Sequence, residues 1–155
     1  MISLYKISEA HPDLSVIVNK SGIKYASLVL WMKSAPWDNV IQANLSSNFA
    51  IINALLPNMI QNKSGKIIGI SSVVATSGNP GQSNYVAAKS GIIDFYTSIA
   101  QEVASRHITV NIVSPGFLIS PMTEKLNATQ KNVILQKIHM KRYGAANDVD
   151  NQVYC

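Results

Sequence analysis

The sequence predicts an α/β chain built on a parallel β-sheet, and three observations support this prediction. Apolar residues make up 47% of the 155 residues and charged residues 14%, a balance that excludes an intrinsically disordered chain. Short β-branched segments alternate along the chain with longer segments of helical periodicity. Strands separated by helices of this length are joined by right-handed crossovers, which make the strands parallel. We therefore expect a single domain over residues 1–155.

The first half of the chain contains two predicted strands and one long helix. Residues 14–18 are a β-branched run that ends before the turn signal Ser21-Gly22, as is typical of a strand. Apolar residues follow a helical period from residue 37 to about residue 60, and Pro57 within this pattern predicts a kink or a local break. After a turn at residues 62–65, residues 66–71 are predicted to form the second, buried strand.

The second half repeats this alternation. Residues 72–83 are rich in Ser, Gly, Asn and Pro and predict a loop, and a helical pattern follows over residues 85–105. The third strand is predicted at residues 108–113, and a last helix at residues 128–138. Because ligands of parallel sheets bind outside the carboxyl ends of the strands, we expect the functional residues directly after each strand.

The pattern richest in chemistry joins Ser72, Tyr85 and Lys89. Tyr85 and Lys89 are four residues apart, so both side chains project from one face of the same helix. A phenol becomes a useful acid or base near neutral pH only when a cation stabilises its phenolate, and Lys89 is placed to supply that charge. Ser72, at the end of a strand, is placed to hydrogen-bond the oxygen of a carbonyl or alcohol substrate.

Each of these residues also has a purely structural interpretation. Ser72 could cap a loop, Asn44 could be a polar helix residue that faces water, and Tyr85 could pack with its hydroxyl at the surface. The Tyr-x-x-x-Lys spacing alone is weak support. The catalytic interpretation therefore depends on the joint arrangement, in which Asn44 lies in the upstream helix and Pro115-Gly116 follows the next strand.

These residues stand in longer motifs of a known family. The motifs are WDNVIQANL (37–45), GKIIGISSVV (65–74), GNPGQSNYVAAK (78–89), EVASR (102–106) and ITVNIVSPGF (108–117). On these motifs, the chain resembles the short-chain dehydrogenase/reductase family from about residue 13 to residue 149, and within it the bacterial 3-oxoacyl-[acyl-carrier-protein] reductases of fatty acid biosynthesis. The resemblance implies a Rossmann-like, doubly wound parallel sheet. It also implies an oxidoreductase that uses NADP(H) to reduce a 3-oxoacyl group, or another carbonyl substrate, to the hydroxy form.

The resemblance further implies the roles of individual residues. Tyr85 would protonate the carbonyl oxygen, and Lys89 would lower the pKa of its phenol and hydrogen-bond the nicotinamide ribose. Ser72 would orient the carbonyl, so that Ser72 and Tyr85 bind the substrate, and Asn44 would hold a water of the proton relay. Contacts with the cofactor are implied for Asn19, Gly22, Tyr85, Lys89, Pro115, Gly116, Leu118 and Ser120.

Two further expectations concern partners. Lys63 and Arg106 fall where these reductases carry basic residues proposed to dock the acidic acyl carrier protein, although two isolated surface cations could equally be solvated. In the family, the helices at residues 37–60 and 85–105 form the main subunit interface. We therefore expect a homo-oligomer through these helices.

The chain also departs from the family pattern. The family opens with a strand, a glycine-rich turn and a helix N-terminus that cradle the cofactor phosphates, and none of the eight glycines here forms such a turn after a leading strand. We therefore expect one incomplete domain over residues 1–155, without the N-terminal strands and the last strand of the family. Two hypotheses follow, an active reductase or a catalytically inactive remnant that at most associates with full-length reductase subunits.

Other classes of function have little support. The net charge of +5 suggests a nucleic-acid-binding module, but the basic residues are spread out and lack interleaved aromatics, so we expect no nucleic-acid partner. The absence of a long apolar run or a signal peptide predicts a cytoplasmic protein without a membrane partner. One cysteine, Cys155, and three scattered histidines predict no metal site.

Overall fold

The computed structural model describes residues 2–119, 123 and 127–154, and it confirms the predicted sheet of parallel strands flanked by helices. The described strands are β1 (Val16–Asn19), β2 (Gly65–Ile70) and β3 (Ile108–Val113), in the order β1-β2-β3. Asn19 pairs with Gly69 and Ile70 pairs with Val113. The carboxyl ends of the strands therefore meet at one edge of the sheet.

Helices precede, connect and follow these strands. α1 (Ile2–Ala10) precedes β1. Between β1 and β2 lie a 3₁₀ turn (Val29–Trp31), α2 (Ser34–Ile41), a π-helical turn (Gln42–Ser46) and α3 (Ser47–Asn62). Between β2 and β3 lie α4 (Val74–Ser77), α5 (Ser83–Val103) and a 3₁₀ turn (Ala104–Arg106). After β3 the described helices are α6 (Ala128–Lys137) and α7 (Ala146–Tyr154).

One local expectation is wrong, and of the kink or break expected at Pro57 the break is excluded. The segment 72–83 is not entirely a loop, because it contains α4, whose end is closed by a 2.9 Å bond from the N–H of Gly78 to the carbonyl of Val74. The helix does not break at Pro57, which lies inside α3. A proline removes only one donor from the helical ladder, and here the surrounding turns continue the helix. The helical segment departs from α geometry at the π-helical turn (Gln42–Ser46), directly before α3.

One apolar core lies between one face of the sheet and helices α3 and α5. Small residues in β2 make room for it, since a Cβ on Gly69 would lie 2.6 Å from a ring carbon of Tyr96. The fully or nearly buried members of the core are Ile17, Ile52, Leu55, Met59, Ile67, Ile92, Tyr96, Ile99, Val103 and Ile108. This packing holds α5 across the sheet, with the N-terminal turns of α5 near the carboxyl ends of the strands.

The second face of the sheet is more open. Val16 and Val18 are 52% and 42% exposed on this face. A groove of about 640 Å³ separates the strands from α7. Its apolar lining includes Val16, Val18, Ile68 and Ile70 from the strands and Val149 and Val153 from α7.

Candidate active site

The first turns of α5 carry Tyr85 and Lys89 towards the end of β2. Lys89 is buried, with 4% of its surface exposed, and its Nζ donates a 2.6 Å hydrogen bond to the carbonyl of Ile70, the last residue of β2. The same Nζ lies 5.7 Å from the centroid of the Tyr85 ring. The structure thus places the two side chains together, as their four-residue spacing predicts.

Burial shifts the pKa values of both groups. It raises the pKa of the Tyr85 phenol, and the nearby Ser72 hydroxyl partly opposes this. Burial also lowers the pKa of Lys89 to about 8 from the ordinary value of 10.5, because an ammonium loses hydration inside the protein. Near neutral pH, Tyr85 is therefore a protonated phenol that stands beside a lysine ammonium.

Ser72 is the second residue after β2, where two backbone hydrogen bonds join the ends of β2 and β3. The N–H of Ser71 donates to the carbonyl of Val113 at 2.8 Å, and the N–H of Val73 donates to the carbonyl of Pro115 at 3.0 Å. The Oγ of Ser72 contacts the Tyr85 hydroxyl and also accepts a long, 3.4 Å hydrogen bond from the N–H of Val74. Ser72 therefore has both a contact with Tyr85 and the loop-capping contact considered above.

Asn44 lies in the π-helical turn and is fully buried, which contradicts the alternative that it faces water. Its Oδ1 accepts from the N–H of Ile23 at 3.1 Å, and its Nδ2 donates to the carbonyls of Ile23 at 2.9 Å and Val40 at 2.8 Å. The backbone carbonyl of Asn44 accepts from the Nδ2 of Asn48 at 2.7 Å. Asn44 therefore fixes the segment that follows β1.

That segment brings two further residues into the site. Gly22 packs so closely on Asn44 that an added Cβ would collide with Oδ1, and this Cβ would lie 3.7 Å from the Nζ of Lys89. The Nζ of Lys24 lies 5.4 Å from the centroid of the Tyr85 ring. Sequence reasoning missed Lys24, because no local spacing connects it to a residue 61 positions later in the chain.

Asn19, at the end of β1, is buried beside the core. Its amide approaches the hydroxyl of Tyr96, but its Nδ2 makes no hydrogen bond of good geometry. The Tyr96 hydroxyl donates to the Oδ1 of Asn48 at 2.7 Å, and burial raises the pKa of Tyr96 to about 12. A chain of contacts thus runs from Asn19 through Tyr96 and Asn48 to Asn44.

The candidate cofactor residues after β3 line an open cleft of about 700 Å³ between β3 and the last two helices. Pro115, Gly116 and Leu118 are among its lining residues, and a Cβ on Gly116 would meet no atom within 4 Å. Leu118 forms an isolated parallel bridge with Gly144. Ser120, also predicted to contact the cofactor, lies outside the described residues.

Lys63 and Arg106 lie at the opposite end of the sheet from Tyr85. Each precedes a strand by two residues, and those strands begin with the paired residues Gly65 and Ile108. At 1.5 Å per residue, the 21 residues from Tyr85 to Arg106 place the two about 30 Å apart. The structure therefore brings the two cations to one edge, but not to the catalytic edge.

No group of three His, Cys, Asp or Glu side chains is placed to hold a metal ion within residues 2–119, 123 and 127–154. None of the helices described here is both long enough and apolar enough to cross a membrane.

Comparisons with known proteins agree on one family. The family model for short chain dehydrogenases matches residues 3–131. The 3-oxoacyl-[acyl-carrier-protein] reductase FabG of Buchnera aphidicola subsp. Acyrthosiphon pisum is 45% identical over 150 residues, which are 97% of this chain and 62% of that protein. The FabG protein of Rickettsia felis is 48% identical over 147 residues, which are 95% of this chain and 61% of that protein. The FabG protein of Haemophilus influenzae is 43% identical over 150 residues, which are 97% of this chain and 62% of that protein. The chain spans about three fifths of the length of these relatives.

Proposed function

The chain belongs to the short chain dehydrogenase family, and from this premise we propose that it reduces 3-oxoacyl groups carried by an acyl carrier protein, with NADPH as the reductant. The curated relatives are named as reductases of this substrate class, which supports the proposal. The observation that carries it is the cluster of Tyr85, Lys89 and Ser72 at the carboxyl end of β2. A phenol, a neighbouring ammonium and a hydroxyl are the groups that carbonyl reduction requires.

In this proposal, Tyr85 delivers the proton. Burial raises the pKa of its phenol, so the group is protonated at neutral pH and can donate from Oη to a carbonyl oxygen. The ammonium of Lys89, 5.7 Å from the ring, stabilises the negative charge that remains on the phenolate. NADPH, when bound, supplies the hydride that the carbonyl carbon receives. The products are the alcohol, the oxidised cofactor and a phenolate that takes its proton back from water.

Ser72 and Asn44 take supporting roles. The Ser72 hydroxyl, which contacts the Tyr85 hydroxyl, would donate to the same carbonyl oxygen and orient it for protonation. Asn44 would hold a water of the proton relay. Because both N–H groups of its Nδ2 already donate to protein carbonyls, such a water can bind Asn44 only by donating to one of its oxygens.

The residues around the site fit a nicotinamide cofactor. The Nδ2 of Asn19 is a buried donor without a good partner, and leaving such a donor unsatisfied costs about 1–3 kcal/mol, which an acceptor on a ligand would remove. Gly116 borders open space, since a Cβ at this position would meet no atom within 4 Å. We propose that NADP(H) is held by Asn19, Gly22, Tyr85, Lys89, Pro115, Gly116, Leu118 and Ser120.

The test is a fluorescence titration of the chain with NADPH, with and without an acetoacetyl thioester. We expect saturable binding and substrate-dependent oxidation. Tyr85→Phe should keep the binding and lose roughly 10²–10⁴-fold in turnover, since it lacks the proton donor. Tyr5→Phe is the matched control, because the Tyr5 hydroxyl makes only an exposed, 3.4 Å contact with Asn53. A folded chain that neither binds nor oxidises NADPH would contradict the proposal.

The carrier protein is proposed to dock at Lys63 and Arg106. Since Arg106 lies about 30 Å from Tyr85 along α5 and the turn that follows it, a carrier docked there would serve the Tyr85 of another subunit. Lys63→Glu and Arg106→Glu should raise KM for a carrier-bound substrate and leave KM for a carrier-free thioester unchanged. Lys6→Glu, on α1, is the charge-matched control. An equal effect on both substrates would contradict docking at this edge.

A homo-oligomer through the helices at residues 37–60 and 85–105 is proposed as well. Phe49 on α3 is 58% exposed and packs edge-to-face on Phe95 of α5, with ring centroids 6.4 Å apart. An exposed aromatic side chain beside a second ring is typical of subunit interfaces. Phe49→Asp should reduce the mass measured by light scattering, and a monomeric parent chain would contradict this interface.

The second candidate function is a catalytically inactive chain that associates with full-length reductase subunits. The observation in its favour is the exposed Phe49, which offers an aromatic surface to a partner subunit whether or not the chain binds NADPH. Mixing it with a full-length relative should then give hetero-oligomers, although the chain alone binds no NADPH. In either case we propose a cytoplasmic location, without nucleic-acid or membrane partners, which fractionation of cells that contain the chain would test.

A further inference from the structure

We propose that Lys24 is a second cation that acts on Tyr85, stabilising the phenolate that forms when this residue gives up its proton. The proposal rests on the proposed function, in which Tyr85 is the proton donor. Lys24 would act through Tyr85 and would not touch the substrate. It is therefore a positioning residue and not a catalytic residue.

The geometry around the Tyr85 ring supports this role. The Nζ of Lys24 lies 5.4 Å from the ring centroid, slightly closer than the Nζ of Lys89 at 5.7 Å. A cation within about 6 Å of an aromatic ring is attracted to it even when the ring is neutral. Once the phenol ionises, the full negative charge on its oxygen strengthens this attraction. Both lysines therefore favour the phenolate.

The backbone around Lys24 is held in place. The neighbouring Ile23 is bound through both its N–H and its carbonyl by the side chain of Asn44, at 3.1 and 2.9 Å. Asn44 is itself fully buried. Gly22 packs against the same amide and beside the Nζ of Lys89. The Asn44 side chain therefore holds the backbone next to Lys24, close to the Nζ of Lys89.

The two lysines approach Tyr85 from different surroundings. Lys89 is buried on the helix that carries Tyr85, donates to the carbonyl of Ile70 and has its pKa lowered to about 8 by burial. Lys24 is exposed and comes from the segment that follows β1. The third group at the phenol is the Ser72 hydroxyl, from the loop after β2.

The test is a titration of the Tyr85 phenol followed by the near-ultraviolet absorbance of the phenolate. Subtracting the curve of a matching Tyr85→Phe protein isolates this tyrosine from the other five. Lys24→Met should raise the midpoint by up to about one pH unit, the full effect of one cation at this distance in a partly solvated site. Lys24→Arg keeps a charge at all relevant pH values and should not raise the midpoint. Far-ultraviolet circular dichroism at each pH restricts the analysis to folded protein.

Lys33→Met is the matched control, because it removes the same charge from an exposed lysine further along the same connection. Equal midpoints for Lys24→Met and Lys33→Met would overturn the proposal. A midpoint for Lys24→Arg as high as the midpoint for Lys24→Met would overturn it as well. The titration needs neither NADPH nor substrate, so it separates the two proposals. A chain in which Lys24→Met raises the midpoint but NADPH is never oxidised would support the role of Lys24 and refute the reductase function.

Discussion

Replacing Gly22 with alanine tests whether the Asn44 clamp stabilises the protein. The added Cβ would collide with the Oδ1 of Asn44, which cannot move away because it is fully buried and its amide makes three hydrogen bonds. Relief of the collision therefore requires separation of Asn44 from Ile23, with loss of the bonds at 3.1 and 2.9 Å. Two bonds of about 1 kcal/mol each, together with a partly unsatisfied buried amide, amount to roughly 2–4 kcal/mol.

The assay is urea unfolding of Gly22→Ala beside Gly116→Ala. With a typical slope of about 1–3 kcal/mol per molar urea, the midpoint of Gly22→Ala should fall by roughly 1–2 M. Gly116→Ala is the matched control, because its Cβ would meet no atom within 4 Å, so its stability should change by less than about 0.5 kcal/mol. The amide of Ile23 should also exchange its hydrogen faster in Gly22→Ala. Equal midpoints for the two variants would refute the clamp.

Three further predictions concern the core and the site. Gly69→Ala should destabilise the fold by about 1–3 kcal/mol in urea unfolding, since its Cβ would lie 2.6 Å from the Tyr96 ring, and an unchanged midpoint would count against this packing. Tyr96→Phe should lower the free energy of unfolding by about 1–2 kcal/mol, because it removes the buried 2.7 Å hydrogen bond to Asn48. Tyr5→Phe should lower it by less than about 0.5 kcal/mol, and similar losses for the two variants would contradict a stabilising role of the buried bond. Burial lowers the pKa of Lys89 to about 8 from 10.5, so the unfolded chain binds more protons between these values and stability should rise with pH across that window. Lys89→Met should flatten the rise in unfolding free energy, and parallel pH profiles would exclude this contribution.

Local patterns are enough to predict most of the sheet and the pairing of Tyr85 with Lys89. The third strand was predicted at residues 108–113 and is found there, because its β-branched run ends sharply at Ser114-Pro115-Gly116. The second strand was predicted at residues 66–71 and is found one residue earlier, at Gly65–Ile70. Tyr85 and Lys89 share a helix face because four residues are about one turn.

Other features depend on contacts that no local pattern reveals. The π-helical turn at Gln42–Ser46 changes the helical period so little that the spacing of the apolar residues does not reveal it. This turn sets the position of Asn44. The predicted break at Pro57 is absent because the helix tolerates one missing donor. The short helix α4 lies in a segment whose Ser, Gly, Asn and Pro content favours a loop.

The sequence by itself therefore determined the family and the three parallel strands, because both follow from the order of residue types along the chain. It also predicts Ser72, Tyr85 and Lys89 as site residues. Only the tertiary structure decided the surroundings of those residues. It placed Asn44 against Ile23, 21 residues earlier, and Lys24 over a ring 61 residues later. The physical reason is that burial and charge act through space, so the pKa of Tyr85 depends on neighbours that the packing of α5 on the sheet brings together.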